Sequence, residues 1–302
     1  MAALWRGAAR LQPSARAPHL GSRLRRPSPL GSGQIMSKRH QGRKTMAEQD
    51  LFLEGKVALV AGASRGIGEA TAKRLARNGA TVICSSRKIA DCDRVAKEIE
   101  AEGGKARAMV LHLGEAEHRE AAIADIKKTE GRLDILVNNG ATSPHFGEAI
   151  DCPDSAWDKT FDVNVKGPFY LSSLAIKEFM KPQMSGAIVN VASINGMRPG
   201  FFQGVYSITK ASVISMTQVL AQECGGFGVR VNALCPGLTE TKLASALTSN
   251  PELEDMMKRN FSIQRVGQPE DMAAAIHYLV SDASSYMTGQ CHIVDGGITA
   301  RG

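Results

Sequence analysis

Short apolar runs alternate with longer helical stretches along this chain from Gly55 onward. The runs read KVALVAG, ATVICSS, ARAMVLHL, LDILVNN, AIVNVAS, VRVNALCPG and, near the end, CHIVDGG. Runs this short and this continuously apolar are typical of strands buried on both faces of a parallel sheet. The stretches between them predict helices over residues 67–78, 91–102, 115–129, 154–180, 203–224 and 269–281.

Six strand–helix units followed by one strand predict a single doubly wound, Rossmann-type α/β domain over residues 51–302. We expect a mainly parallel sheet of seven strands with helices on both faces. Right-handed crossovers place the carboxyl ends of all parallel strands at one edge, where ligands bind. That edge would be formed by the loops at 61–68, 84–90, 112–115, 138–148, 193–204 and 235–265.

Composition narrows the functional class. The 302 residues are 43% apolar and 22% charged, as in ordinary soluble globular proteins, and the net charge is +7. Residues 1–45 hold ten Lys and Arg and no acid, so the rest of the chain has 27 basic against 30 acidic residues, a net charge of −3. A body with that charge has no basic surface for nucleic acid, which excludes a nucleic-acid partner.

The basic leader, residues 1–50, begins MAALWRGAARL and is rich in Arg, Ala, Ser and Pro. An amphipathic, Arg-rich, acid-free start is typical of a mitochondrial transit peptide. Two alternatives stay open at this point: an untargeted tail, or sequence upstream of a start at Met46, either of which would leave the protein in the cytoplasm. The chain contains no run of 18 uncharged apolar residues, so we expect no insertion into a membrane.

The six cysteines are scattered and form no CxxC pair, which predicts neither a metal site nor a disulfide framework. Glycines instead mark a first candidate site in VALVAGASRGIGEA, at Gly62, Gly66 and Gly68. Between a strand and a helix, such a turn lets the backbone approach a dinucleotide phosphate, which faces the free N–H groups of the helix start. The spacing G-x-x-x-G-x-G is one residue longer in its first gap than the usual dinucleotide motif.

The end of the second strand discriminates between two cofactors. Enzymes that use NAD place an acid there for the ribose 2′-hydroxyl, but this chain reads CSSRK, with no acid before Asp91. Arg87, together with Arg65 of the glycine turn, would bind a 2′-phosphate by charge-assisted hydrogen bonds. The sequence therefore favours NADP(H).

Further motifs follow in order: NNGA at 138–141, DVNVKG, NVASING, YSITK and PGLTET. With the glycine turn, they resemble the short-chain dehydrogenase/reductase family over residues 52–299. Ser193 precedes Tyr206 by thirteen positions, the interval usual in that family. SSRK, LHLGEAE and NNGATSPHFG are most similar to its NADPH-dependent carbonyl reductases of the peroxisomal and mitochondrial branch and their bacterial relatives.

Tyr206 and Lys210 lie four residues apart on a predicted helix and so share one face. An ammonium at that distance is expected to lower the pKa of a phenol, which suits the phenol for proton transfer near neutral pH. The resemblance implies that Tyr206 is the general acid/base and that Ser193 binds the substrate oxygen. It also implies that Asn164 positions a water linked to Lys210. Read alone, Ser193 would be a strand-end cap and Asn164 a buried polar group at a helix kink.

By the same resemblance, Lys210 also binds the nicotinamide ribose, and Thr241, otherwise a helix N-cap, binds the carboxamide. The complete set of expected cofactor-binding residues is Gly62, Ser64, Arg65, Gly66, Ile67, Gly68, Ser86, Arg87, Asn138, Gly140, Tyr206, Lys210, Pro236, Gly237, Thr239 and Thr241. The sequence departs from the family pattern in three ways: Ala61 replaces a Thr, Gly140 and Ala141 are exchanged, and His112 replaces an acid after the third strand.

The loops predict an apolar, aromatic mouth that suits an aromatic or medium-chain carbonyl substrate. It would be formed by Phe146, Met197, Phe201, Phe202, Leu238 and Leu243. We expect residues 238–265 to form a lid hung on Gly237 and Gly267. The resemblance further implies a homodimer or homotetramer that pairs its two long helices.

Two other functions stay open. A 3-oxoacyl thioester reductase of fatty-acid synthesis would need a basic patch near the lid for its acidic carrier protein, which Lys242, Lys258, Arg259 and Arg265 would supply. A non-catalytic nucleotide-binding module would keep the fold, but it would have no need of Ser193, Tyr206 and Lys210 together.

Overall fold

Seven parallel strands form one sheet in the computed structural model, which describes residues 50–242 and 260–300. Their order is β3-β2-β1-β4-β5-β6-β7, and every neighbouring pair is parallel. The strands are β1 (Val57–Ala61), β2 (Thr81–Ser86), β3 (Lys105–Val110), β4 (Ile135–Asn138), β5 (Gly186–Val191), β6 (Val229–Pro236) and β7 (Cys291–Val294). The predicted doubly wound sheet is confirmed, and within the described residues it is parallel throughout.

Helices cover both faces of this sheet. They are α1 (Gly66–Arg77), α2 (Ile89–Ala101), α3 (Ala116–Thr129), α4 (Asp154–Phe161), α5 (Gly167–Ala175), α6 (Lys181–Gln183), α7 (Gly204–Cys224) and α8 (Pro269–Val280). One apolar core joins the sheet to α3, α5 and α7, and a second joins it to α1, α2 and α8. In β1, Leu59 faces the first core and its neighbours Ala58 and Val60 face the second, so the strand is buried on both sides.

The segment predicted as one helix at 154–180 is helical from Asp154 to Gln183, but two stretches of it are π-helical and not α-helical. Two π-helical turns, Asp162–Lys166 and Ile176–Met180, separate α4, α5 and α6. Each π turn is followed within two residues by a proline, Pro168 or Pro182. Proline has no N–H to give the carbonyl four residues earlier, which disfavours a regular α-helix there. The first π turn carries Asn164, one of the predicted site residues.

Several sequence-based expectations fall on residues outside the described ranges. They are the leader with Met46, the middle of the predicted lid, Leu243, Lys258 and Arg259. All six cysteines lie inside those ranges, and all are free thiols. Across the described part of the chain, no helix combines the length and apolar character needed to cross a bilayer.

Candidate active site

A cleft of about 870 Å³ runs along the carboxyl edge of the sheet, where the topology predicted it. Most of the predicted site residues line it: Gly62, Ser64, Arg65, Gly66, Ile67, Ser86, Arg87, Gly140, Ser193, Tyr206, Lys210, Pro236, Gly237, Thr239 and Thr241. Three of the predicted residues do not, namely Gly68, Asn138 and Asn164. The cleft therefore brings the glycine turn, the arginine pair and the catalytic candidates into one continuous space.

The glycine turn between β1 and α1 needs its glycines for close packing. Gly62 has a φ of +91°, and a Cβ on it would lie 2.6 Å from the backbone nitrogen of Gly140. Gly68 lies outside the cleft because it packs against the turn itself, where a Cβ would collide with the carbonyl oxygen of Gly62. Arg65, which precedes α1, makes no side-chain cap. The N–H groups at the start of α1 thus stay available to an anionic group in the cleft.

Asn139 braces this turn and was missed by the sequence prediction. Its Nδ2 donates to the Gly62 carbonyl at 2.8 Å, while the backbone N–H groups of Asn139 and Gly140 both donate to the carbonyl of Ala61. The turn is therefore held from the β4 loop although Ala61 has no hydroxyl. Because Asn139 follows the last strand residue, its side chain reaches the cleft.

The assignment of Asn138 to the cofactor site is wrong for its side chain. Asn138 is 3% exposed, and its Nδ2 donates to Ser172 Oγ at 2.9 Å and to Asn190 Oδ1 at 2.8 Å. It is the last residue of β4, and its side chain points into the core beneath the sheet edge. The two neighbouring asparagines thus have different roles. Asn138 hydrogen-bonds β4 to β5 and α5, and Asn139 faces the cleft.

Several basic side chains lie near the end of β2. Arg65 and Arg87 are exposed, line the cleft and form no ion pair with any described residue. Lys88 and Lys159 line the same end, and so does one acid, Asp91. Asp91 was passed over in the sequence because it lies five residues beyond β2, but the first turn of α2 brings it back to the cleft.

His112 lines the cleft beside this basic end. Its Nδ1 accepts a hydrogen bond from the Gly114 backbone N–H at 3.2 Å, so in the neutral ring Nε2 carries the proton. Burial lowers the pKa of His112; the Glu115 carboxylate opposes this shift, and the charges of Lys159 and Arg87 add to it. The residue that departs from the family's acid is therefore a neutral hydrogen-bond donor near pH 7.

The catalytic candidates lie at the other end. Ser193 follows β5 and caps a short 3₁₀ turn, its Oγ accepting from the Asn195 N–H at 3.1 Å, and it lines the cleft together with Tyr206. Lys210 is 3% exposed. Its Nζ donates to the Val191 carbonyl at 2.6 Å and lies 5.4 Å from the centre of the Tyr206 ring. The serine is both a cap and a member of the site.

Burial governs the pKa values of this end. It raises the pKa of Tyr206 to about 12, against a smaller opposing effect of the neighbouring Ser193 side chain, and it lowers the pKa of Lys210 to about 8. Lys210 is not among the groups that shift the pKa of Tyr206 in the protein by itself, and its Nζ donates to the Val191 carbonyl. The expected effect of the Lys210 ammonium on the phenol therefore stays a prediction.

Asn164 is buried at 1% exposure and lies outside the cleft. Its Oδ1 accepts from the Thr142 N–H at 2.8 Å, and its Nδ2 donates to the Thr142 carbonyl at 2.9 Å and to Thr209 Oγ1 at 3.2 Å. Both amide hydrogens are thus used within the protein. The side chain joins the π turn, the loop after β4 and helix α7, and does not itself present a donor to a water in the cleft.

Three phenylalanines form the mouth beside Tyr206. Phe202 stacks at a tilt on Phe146, with 6.0 Å between ring centres, and edge-on to Phe201, with 5.7 Å. Phe201 is 91% exposed, and Phe146 and Phe201 line the cleft. Phe202 has a φ of +56°, a conformation unusual for a bulky residue, and its carbonyl accepts from the Gly147 N–H at 3.0 Å. This bond ties the two loops that carry the rings.

The other residues predicted at the mouth differ in whether they reach the cleft. Leu238 lines it, whereas Met197 and Phe202 do not, and Leu243 lies outside the described residues. His145 is held on its own loop, its Nε2 2.9 Å from the Glu148 carbonyl oxygen. Ile298, just after β7, also lines the cleft and was not predicted, although the end of the last strand falls at the same sheet edge.

Known proteins share both the sequence pattern and the fold of this chain. Residues 62–299 match a family model described as Enoyl-(Acyl carrier protein) reductase. The chain is 40% identical over 245 residues to Dehydrogenase/reductase SDR family member 4 of Bos taurus, which covers 81% of this chain and 88% of the relative. It is 34% identical to Tropinone reductase-like 3 of Erythroxylum coca, over 82% of this chain and 95% of that relative.

Among solved structures, a gluconate 5-dehydrogenase of Burkholderia cenocepacia in complex with NADP and tartrate superposes with a TM-score of 0.80. It is 29% identical to this chain, over 84% of this chain and 98% of that protein.

Proposed function

The chain belongs to the short-chain dehydrogenase/reductase family of NAD(P)-dependent oxidoreductases, and we propose that it reduces ketone or aldehyde carbonyls, or oxidises the matching alcohols, with NADP(H). The observation that carries this proposal is the meeting of Ser193, Tyr206 and Lys210 in one cleft with a glycine turn. A binding module would need the glycine turn alone.

The residues present fit a nicotinamide dinucleotide. The packed glycines and the uncapped start of α1 form a cradle for a pyrophosphate. Lys210 would bind the nicotinamide ribose, while Pro236, Gly237, Thr239 and Thr241 would border the nicotinamide. When bound, this cofactor supplies or accepts the hydride.

The protein's own side chains handle the proton and the substrate oxygen. Ser193 donates a hydrogen bond to that oxygen as negative charge develops on it. Tyr206 gives its hydroxyl proton to the oxygen during reduction and removes it during oxidation. Lys210, which is charged below its lowered pKa of about 8, stabilises the tyrosinate that forms.

Preference for NADP(H) over NAD(H) rests on the basic end of the cleft. Arg65 and Arg87 have no acidic partner among the described residues, so a 2′-phosphate would supply the missing charge. Asp91 lines the same end and supports the opposite preference, because a carboxylate suits a free 2′-hydroxyl. Because two arginines and one aspartate give this end a net positive charge, it favours binding of the 2′-phosphate.

The substrate class follows from the aromatic mouth. Phe146 and Phe201 present exposed rings to the cleft close to Tyr206, which suits a planar aromatic or a medium-chain apolar carbonyl. The thioester alternative is weaker in this structure. Arg265, one of its four basic residues, is paired with Asp271 at 2.6 and 2.9 Å, and is therefore already neutralised.

We also propose a homodimer or homotetramer and a mitochondrial location. The first stems from the family's habit of pairing its long helices, and the second from the Arg-rich leader. A reporter fused after residues 1–45 is expected to enter mitochondria, and a control leader with its arginines changed to glutamine is expected to remain cytosolic. A cytosolic reporter with the native leader would overturn the location.

The proposed reaction is tested with a panel of carbonyl compounds: aromatic diketones, retinal, steroids, sugar ketones and 3-oxoacyl thioesters. NADPH oxidation is followed optically in the presence of each. We expect turnover with aromatic or medium-chain carbonyls and little with sugars. A protein that binds NADPH but oxidises it with no member of the panel would contradict the enzyme proposal and favour the binding module.

A further inference from the structure

A hydrogen-bonded pair of amide side chains bridges the loop that connects Ser193 to Tyr206. The Asn195 Nδ2 donates to the Gln203 Oε1 at 2.8 Å. Both residues are half-buried and line the cleft. They are eight positions apart, so this single bond closes the loop between the turn after β5 and the start of α7.

Each member of this amide pair is also attached to one side of the proposed catalytic site. The Asn195 backbone N–H donates to the Ser193 Oγ at 3.1 Å. Gln203 directly precedes α7, and its carbonyl accepts from the backbone N–H and from the hydroxyl of Ser207, both at 2.8 Å. Ser207 is the helix residue next to Tyr206. The amide pair therefore connects the turn that carries the serine to the first turn of the helix that carries the tyrosine.

A second contact joins the same turn to α7 on the other side of Tyr206. The 3₁₀ turn Ile194–Gly196 packs against the helix backbone, where a Cβ on Gly196 would lie 2.7 Å from the carbonyl carbon of Lys210. Gln203 and Lys210 are about two helical turns apart, and Tyr206 lies between them. The packing of Gly196 thus fixes the helix at Lys210, and the amide pair fixes its first turn.

The loop backbone passes close to the hydrogen bond between the two amides. A Cβ on Gly200 would lie 2.6 Å from the Asn195 Nδ2 and 2.9 Å from the Gln203 Oε1, so a side chain at this position would have to displace the pair. The Gly200 N–H donates to the Ser207 Oγ at 3.2 Å. Because the next residue is Phe201, the amide pair also supports the segment that leads into the aromatic mouth.

We propose that Asn195 and Gln203 are positioning residues whose side-chain hydrogen bond keeps Ser193 and Tyr206 in the mutual position needed to act on one substrate oxygen. The kinetic part of this role rests on the carbonyl reduction proposed above. A primary amide neither gains nor loses a proton near neutral pH, so the pair acts through geometry and not as an acid or base. Its loss is therefore expected to change the rate of reaction and to leave cofactor affinity unchanged, because the glycine turn lies elsewhere in the cleft.

Hydrogen–deuterium exchange of residues 194–203, measured by mass spectrometry on full-length protein, tests whether the pair holds the loop. Gln203→Leu removes the acceptor, whereas Gln203→Glu keeps an acceptor for the Asn195 amide. The matched control is Gln183→Leu at the end of α6, a half-buried glutamine outside the cleft whose Nε2 donates to the Leu133 carbonyl at 3.1 Å. Loss of one hydrogen bond corresponds to roughly a three- to tenfold effect. We expect exchange to become faster by that factor in Gln203→Leu and to stay within about twofold of wild type in Gln203→Glu and Gln183→Leu.

Kinetics are measured on the same proteins with a carbonyl that wild type reduces. In Gln203→Leu, kcat is expected to fall roughly three- to tenfold while the Kd of NADPH stays within about twofold, and Gln203→Glu should recover most of the rate. Asn195→Ala breaks the same bond from its other side and replaces Gln203→Leu if the latter does not fold. Because only one bond is lost, the double variant should be no more than about twofold slower than either single variant.

Three results would overturn the positioning role. They are exchange in Gln203→Leu no faster than in Gln183→Leu, a KM that rises with kcat unchanged, and losses of rate that multiply in the double variant.

The two proposals fail separately. If the wild-type protein reduces no carbonyl, the proposed reaction is wrong, and the exchange of residues 194–203 still decides whether the amide pair holds the loop. If the wild-type protein is active and exchange is unaffected in Gln203→Leu, the reaction stands and the positioning role is wrong.

Discussion

The two ends of the cleft are built in opposite ways. At the catalytic end, Lys210 is 3% exposed and bonded to the Val191 carbonyl, and Ser193 accepts from the Asn195 N–H with its Oγ and from the Gly196 N–H with its carbonyl. At the other end, Arg65 and Arg87 extend into solvent and pair with no described residue. The catalytic end is organised by contacts within the protein, whereas the two arginines at the other end form no ion pair with a described residue and are available to an anionic ligand.

This difference separates reaction from selectivity. Groups that must meet a transition state gain from being fixed in advance, because no energy is then spent on ordering them during the reaction. Groups that choose between two cofactors need only a difference in charge, which flexible arginines provide. Substitutions at the catalytic end are therefore expected to change rate, and those at the basic end to change cofactor affinity.

The largest effect is expected from Tyr206→Phe. Removing the hydroxyl removes the proton donor, and general acid–base catalysis contributes roughly 10²–10⁴-fold, so kcat should fall by about a thousandfold. NADPH affinity, measured by fluorescence titration, should stay within about threefold. The variant Tyr278→Phe, on α8 and away from the cleft, is the control. A Tyr206→Phe enzyme with normal turnover would show that another group carries the proton.

A smaller effect, on affinity alone, is expected from Arg87→Asp. Wild type is expected to bind NADPH at least tenfold more tightly than NADH, and the variant to reverse that order, because a carboxylate repels the 2′-phosphate and accepts from a 2′-hydroxyl. Lys97→Asp makes the same charge change on an exposed residue of α2 outside the cleft. Equal affinities of the wild-type protein for NADPH and NADH would contradict the proposal that the basic end of the cleft selects NADP(H).

The pH dependence of stability tests the burial of Lys210. A lysine whose pKa falls from 10.5 to about 8 in the folded protein loses its proton on folding between those pH values. The unfolded chain then binds more protons, and the stability of the folded state rises with pH across that window. Relative to Lys210→Met, wild type should gain about 2 kcal/mol of unfolding free energy between pH 7 and pH 10. A difference that does not change with pH would show that Lys210 keeps its ordinary pKa.

The smallest effect is expected at the mouth. Phe146→Ala removes one exposed ring from the cleft and breaks the contact with Phe202, which should raise KM for an aromatic carbonyl by about three- to tenfold, since an aromatic contact contributes roughly 0.5–1.5 kcal/mol. The kcat value and the KM for a small aliphatic carbonyl should change little. Phe169→Ala, on α5 and outside the cleft, is the control. An equal rise in KM for both substrates would argue against aromatic selection.

Sequence patterns predicted the sheet edge and most of the cleft because both depend on periodicity and on spacing. The interval of thirteen positions from Ser193 to Tyr206 spans one strand-to-helix connection, which topology places at that edge. Asn138 and Asn139 were harder, because one residue of register at the end of β4 decides which of them faces the core. The pKa of Tyr206 could not be predicted, since it depends on how much water the folded protein removes.

Contacts between residues that are distant along the chain could not be predicted from the sequence. Cys235 and Cys291 are 56 positions apart, and only the pairing of β6 with β7 places both in the same apolar core. Asp91 likewise returns to the cleft through the turn at the start of α2. In both cases the missing information was three-dimensional proximity, which composition and spacing do not contain.

Transfer of deuterium from NADPH labelled at the nicotinamide C4 position would join the two ends of the cleft in one experiment. With an aromatic carbonyl accepted by the enzyme, we expect one deuterium on the carbinol carbon of the product, detected by mass spectrometry. The transfer should become at least tenfold slower in Arg87→Asp at limiting cofactor, and about a thousandfold slower in Tyr206→Phe. A product without deuterium, or transfer at the wild-type rate in Tyr206→Phe, would contradict a single dinucleotide spanning both ends with Tyr206 as the proton donor.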